Sequence, residues 1–171
     1  YINIFIEHGY NINIQNYSIQ DLLLEFNEIN NHLFSYHYRK FIKRLPRYEK
    51  GEFWYSNESN LCRMLFLYLF GGFYIDTDVI MINKINTLNQ YKNIIGYQDI
   101  EYLNGASMKF TEIHHSLIAK CIDEFLEHYD GKRWGKNGPQ LITRVLKNNY
   151  KQELVCDHYN ETNMNESLCK V

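Results

Sequence analysis

The chain has 171 residues, with 45% apolar and 22% charged side chains and a net charge of −2. That length and mix fit one globular domain and exclude a disordered tail, and so small a charge gives no general pull toward nucleic acid or anionic lipid. No apolar run approaches the roughly 18 residues of a membrane span, and the longest, Met64 to Phe70, is far shorter.

The chain opens at Tyr1 directly into a strand-like alternation, Ile2 to Ile6, and therefore reads as an excised or partial domain. Ile19 to Ile29 has helical spacing. Phe34 to Tyr48 is basic, with Arg39, Lys40, Lys43, Arg44 and Arg47, and reads as a solvated helix face. Next comes a helix capped by Ser56 or Asn57, with Leu61, Met64, Leu65 and Tyr68 on one face and Gly71–Gly72 as its stop. Phe73 to Ile75 and Val79 to Ile82 read as buried strands, and Asn93 to Gln98 and Tyr102 to Phe110 as two more. Ser116 to Tyr129 is an amphipathic helix, and Pro139 opens another in its first turn, where its missing N–H costs nothing. Asn160 to Ser167 reads as a loop. Alternating strands and helices predict an α/β layered domain.

Cys62, Cys121, Cys156 and Cys169 form no CxxC pair, which argues against structural zinc. Cys156 and Cys169 flank a polar stretch and could close a short bridge, while Cys62 reads as a buried thiol. Sequons at Asn16, Asn57, Asn160 and Asn165 favour passage through a secretory compartment. His114 and His115 precede a helix and read as exposed, and His128 sits at a helix end that favours a cation.

The chemistry concentrates in SNLCRMLFLYLFGGFYIDTDVIMI, Ser59 to Ile82. Asp76 and Asp78 lie two apart at the end of an apolar strand, so an extended backbone points both the same way. Converging carboxylates call for a hard divalent cation, Mn²⁺ or Mg²⁺, with phosphate oxygens completing its shell. Gly72, in the double glycine, permits a close approach, and Asn60 and Arg63 share a helix face from which the guanidinium can grip phosphate or sugar oxygens. A lone Asp-x-Asp is ordinarily a solvated strand end; the capped helix, Arg, double Gly and apolar strand around it make the combination specific.

Those residues, together with LNGA (Leu103 to Ala106), Cys121 and EFLEHYDGKRWGKNGPQLITRVLK (Glu124 to Lys147), resemble the DXD-containing α-1,4-galactosyltransferase and α-1,4-N-acetylglucosaminyltransferase family over roughly residues 55 to 150. The resemblance implies an α/β GT-A (Rossmann-like) nucleotide-sugar transferase domain, a single partial unit over 1–171 lacking its first strand and C-terminal end. Its DXD sugar-nucleotide part would run to about residue 100 and its α-1,4-glycosyltransferase region from about 101 to 171. It implies a UDP-sugar donor, a glycolipid or oligosaccharide acceptor, Mn²⁺ (or Mg²⁺) and retention of anomeric configuration; no nucleic-acid partner is expected, from the small net charge. It also implies a lumenal Golgi location with type II topology, through an anchor absent from this stretch.

Carried over residue by residue, Asp78 binds the metal, Asp76 reaches the metal and the ribose, and Arg63, with Ser59 and Asn60, holds the donor sugar. Asn104 and Gly105 line the donor. Gly138, Pro139 and Gln140 open a helix toward the same cleft, and Trp134 either stacks on the acceptor or plugs the core. The family's usual Asp is Asn60 here, a neutral amide that forgoes a charge-assisted bond. With no nucleophile in evidence and Glu101 reading as solvated, front-face displacement is expected. Two other readings stand: a truncated or inactive transferase domain that binds glycan or nucleotide without turnover, and a haloacid-dehalogenase-like phosphatase. The second is weakened by Ile80 at the fifth position of its motif.

Overall fold

The computed structural model describes residues 7–9, 11–30, 35–44, 51–82, 85–149, 155–156 and 168–170. Helix α1, Ile19–Ile29, begins as its spacing predicts. Ser18 caps it, its hydroxyl accepting from the Gln20 N–H at 3.2 Å, and Leu22, Leu23 and Phe26 are buried. At its other end the Tyr68 hydroxyl donates to Asn30 Oδ1 at 2.9 Å, fastening α1 to the central helix.

Helix α2, Ser35–Arg44, carries the basic segment and buries Phe41 edge-on against Phe125 and Tyr129. Helix α3, Trp54–Phe70, is the centre of the core, with Leu61, Met64, Leu65 and Tyr68 buried. It starts earlier than expected and no side chain caps it, so the expected Ser56 or Asn57 cap is not used. Its start follows burial instead, since Trp54 lies in the core. Asn57 lies inside the helix and is 2% exposed, so that sequon is closed in the folded chain. Gly71, at φ 63°, ends α3 as expected. Cys62 and Cys121 are both buried, and burial pushes both thiols up.

Strands β1 (Gly72–Ile75), β2 (Asn93–Tyr97) and β3 (Leu103–Phe110) follow, with a 3₁₀ turn at Ile85–Leu88. Val79 to Ile82, expected as a buried strand, is not one: Ile80 and Ile82 are exposed and pair with nothing regular. After α4 (Ser116–His128) and α5 (Pro139–Asn149) come β4 (Val155–Cys156) and β5 (Leu168–Lys170). The sheet order is β1-β3-β2-β5-β4, with every described pair antiparallel. The described architecture is thus mixed helix and sheet with a small antiparallel sheet; it has none of the parallel pairing expected of a Rossmann-like layer. Strand Ile2 to Ile6 and loop Asn160 to Ser167 lie outside the described residues. The β4–β5 register sets Cys156 opposite Cys169 along the backbone.

Helices α3 and α5 lie against β3, α4 packs between them, and α1 and α2 lie against α3 and α4. Thr143 ties α5 to the sheet, its hydroxyl accepting from the Leu103 N–H at 2.8 Å and donating to the Pro139 carbonyl at 2.7 Å. Arg144 grips Glu124 across α4 and α5 at 2.9 Å through both Nε and Nη2. His114 is exposed as expected, at a left-handed φ of 57°. His115 is not: it is half-buried and caps α4, Nδ1 accepting from the Leu117 N–H at 3.3 Å. His128 stands at the α4 end, 3.3 Å from Glu124.

Gly51 has φ 73°, and a Cβ there would overlap the Gly131 carbonyl. Gly51→Ala is expected to cost about 2–4 kcal/mol, summing a left-handed penalty and overpacking, read as a lower urea midpoint; an unmoved midpoint would show that the two backbones part freely. Burial lowers the His115 pKa from 6.5, against an upward pull from Glu112. The neutral cap therefore contributes full stability above about pH 6.5 and loses it as pH falls through the lowered value. Urea titrations from pH 7.5 to 5 should show this component in the unaltered chain and not in His115→Asn, which caps without titrating.

Candidate active site

The cleft is built around an irregularity in β3. Opposite β2, the pairing steps from Ile95–Met108 to Gly96–Asn104, so residues 105–107 bulge out of the ladder. The Asn104 side chain closes the bulge, Oδ1 accepting from the Ala106 N–H at 2.8 Å. The Ala106 carbonyl in turn accepts from the Asp76 N–H at 2.8 Å, which fixes the end of β1 beside the bulge. Strand β1 stops at Ile75, and Asp76 to Val79 form a turn, the Val79 N–H donating to the Asp76 carbonyl at 3.1 Å. The two aspartates therefore reach the cleft from a turn, not from one face of an extended strand as their spacing predicts.

Asp76 and Asp78 open onto a cleft of about 430 Å³, shared with Asn60 and Arg63 from α3, Asn104 and Gly105 from β3, and Gln140 from the start of α5. Arg63 is buried, and its guanidinium is held by the fold: Nη2 lies 3.1 Å from Asp76 Oδ1 and 3.3 Å from the Ser59 hydroxyl, and Nε 3.4 Å from the Ser59 carbonyl. A buried charge persists only when paired in this way. The sheet admits it because residue 105 is glycine; a Cβ there would stand 3.0 Å from Nη1. Gly138 makes a second notch, where a Cβ would meet the Asn60 amide at 2.7 Å.

The remaining wall is the loop from Asp130 to Gly138. The Asp130 carboxylate accepts from the Lys132 N–H at 3.0 Å and from Lys136 Nζ at 3.1 Å, and those two bonds hold its pKa below the usual range. Asn137 closes the loop with bonds to the Asp130 N–H and carbonyl. Trp134 lines the cleft mouth at 67% exposure, braced edge-on by Phe53 at 5.5 Å, so it is not a core plug.

Of the residues expected at the site, Ser59 and Gly138 stand behind the lining, supporting Arg63 and Asn60. Gly72 stands apart: it is exposed at the far end of β1, with open space where a Cβ would go. Glu101 is exposed, as expected. Sequence reasoning missed Gln98, Asp99 and Tyr102, which line the cleft from the β2–β3 turn. The turn itself was readable, since Asp99 Oδ1 accepts from the Glu101 and Tyr102 N–H groups, a common use of Asp in turns. Its place in the same cleft as Asp76 depends on sheet register.

The oxygen donors fit a hard divalent cation, with carboxylates and amides and neither sulfur nor imidazole among the lining residues. Among the described residues no three acidic, His or Cys side chains cluster to hold a metal ion. No helix among the described residues is long and apolar enough to cross a membrane.

Comparison with known proteins agrees with this geometry. Residues 10–95 match the glycosyltransferase sugar-binding region containing the DXD motif, and residues 110–170 match the α-1,4-glycosyltransferase conserved region. Rat lactosylceramide 4-alpha-galactosyltransferase is 44% identical over 89 residues, covering 52% of this chain and 24% of that protein. Human alpha-1,4-N-acetylglucosaminyltransferase is 34% identical over 94 residues, covering 55% of this chain and 26% of that protein. The match thus spans about a quarter of the length of these relatives. No solved structure matches. With its DXD turn and its buried arginine on one cleft, this protein belongs to the glycosyltransferases whose sugar-binding region contains the DXD motif, and its residues 110–170 match the α-1,4-glycosyltransferase conserved region.

Proposed function

We propose that this chain is a metal-dependent, retaining glycosyltransferase. It moves a hexose or N-acetylhexosamine, galactose foremost, from a UDP-sugar to a hydroxyl of a glycolipid or glycan in α-1,4 linkage, on the lumenal side of the Golgi membrane. The observation that carries this reading is the joint opening of Asp76, Asp78 and the buried Arg63 onto one cleft.

Asp78, exposed on the turn, and Asp76 would hold Mn²⁺ or Mg²⁺ together with diphosphate oxygens. When bound, that cation supplies charge neutralisation for the departing diphosphate. Arg63 offers a fixed guanidinium that needs no reorganisation when a sugar diphosphate arrives. Asn60, Asn104 and Gln140 present amides to donor hydroxyls, and Trp134 presents an exposed ring on which an acceptor sugar can stack. Asp99, the remaining lining carboxylate, serves the β2–β3 turn through Oδ1, and the transfer is read as front-face displacement, which calls on no enzyme nucleophile. In that reaction the leaving phosphate takes the acceptor proton.

One observation favours a second reading, binding without turnover: the wall residue packed on Gly138 is the neutral Asn60.

Asp78→Ala in the full chain is expected to lower Mn²⁺-dependent transfer from a UDP-sugar by roughly 100-fold or more; unchanged transfer ends the metal assignment. Mn²⁺-dependent UDP binding by the unaltered chain with no transfer to galactose-terminated lipid or glycan would establish the binding-only reading instead. In Gly138→Ala the new Cβ would stand 2.7 Å from Asn60 Nδ2, so the flexible Asn60 amide has to shift. The substitution should leave the melting temperature nearly unmoved and weaken UDP-sugar binding about threefold to tenfold, measured calorimetrically.

A further inference from the structure

Tyr74 has no place in the motif reading, yet it touches both charged partners of the cleft. It is the third residue of β1, two before Asp76, and half-buried. Its hydroxyl donates to Asp76 Oδ1 at 2.6 Å. The Arg63 guanidinium lies over its ring, 5.0 Å from the centroid. Arg63 Nη2 reaches the same Oδ1 at 3.1 Å. Two donors converging on one carboxylate oxygen fix the rotation of the group and leave Oδ2 as the oxygen to meet a ligand.

We propose that Tyr74 is a positioning residue for the divalent-cation site: it holds the Asp76 carboxylate by Oδ1 so that Oδ2 is presented to the cation, and its ring seats Arg63 alongside. The inference rests on the glycosyltransferase reading of this cleft. A hydroxyl suits the task because it orients a carboxylate without bringing a second positive charge against the incoming cation. Burial, with the Asp76 contact next, raises the phenol's pKa, so it remains a donor at neutral pH.

Tyr74→Phe removes the hydroxyl and keeps the ring under Arg63. In calorimetric titrations of the full chain, Mn²⁺ half-saturation at saturating UDP is expected to rise about fivefold. UDP affinity at saturating Mn²⁺ should stay within about twofold, and the melting temperature within a few degrees. An unaltered Mn²⁺ affinity in this variant overturns the role of Tyr74 alone. Parallel losses of UDP affinity and melting temperature overturn it too, by reducing Tyr74 to a packing residue. Absence of any Mn²⁺-dependent UDP binding in the unaltered chain overturns the glycosyltransferase reading, and this inference with it. Asp76→Asn, which keeps an oxygen for the Tyr74 hydroxyl, provides a check independent of the Phe variant: Mn²⁺ affinity should fall more than about tenfold, and an unchanged value sinks the proposal.

Discussion

A guanidinium with little access to water has to find its counter-charge within the fold, and Arg63 organises the cleft for that reason. Asp76 supplies the charge, Ser59 one turn back supplies hydroxyl and carbonyl oxygens, and Tyr74 supplies an aromatic face. Each partner comes from a different constraint: a helix turn, a strand end and a strand face. Removing Arg63's anion would leave a buried charge uncompensated, which makes the pair with Asp76 costly to break.

The backbone makes room for this arrangement at three points. The β3 bulge frees the Ala106 carbonyl to hold the DXD turn, Gly105 lets the arginine fork lie against the sheet, and Gly138 lets Asn60 lie against the start of α5. The two glycines act by the absence of a side chain. The cleft's polar residues are therefore placed by the exclusion volumes around them, and its loop wall is tied independently through Asp130 and Asn137.

Local patterns were legible where local forces decide the outcome. Ser18 and the apolar spacing of Leu22, Leu23 and Phe26 mark α1, Gly71 marks the α3 stop, and Pro139 marks the start of α5. The pairing of Asp76, Asp78, Asn60 and Arg63 in one site was also readable, because their types and spacing restrict the chemistry they can serve. What was not readable depends on partners distant in sequence. The α3 start follows the burial of Trp54, and Val79 to Ile82 is apolar without a sheet neighbour to cover it. Gln98, Asp99 and Tyr102 become a cleft wall only once β2 is registered on β3. Tyr74 looked like an ordinary apolar strand residue; its hydroxyl gained a role only from the carboxylate beside it.

The burial of Asn57 within α3 carries a temporal consequence. In any compartment that attaches oligosaccharides to nascent polypeptide, this asparagine is open to modification only until the central helix closes over it. A sugar tree added in that interval could not be accommodated between Trp54 and Leu61, so the molecule bearing it would be barred from the native state. Occupancy at this position would then act as a clock on how quickly the core assembles, marking the chains that were too slow.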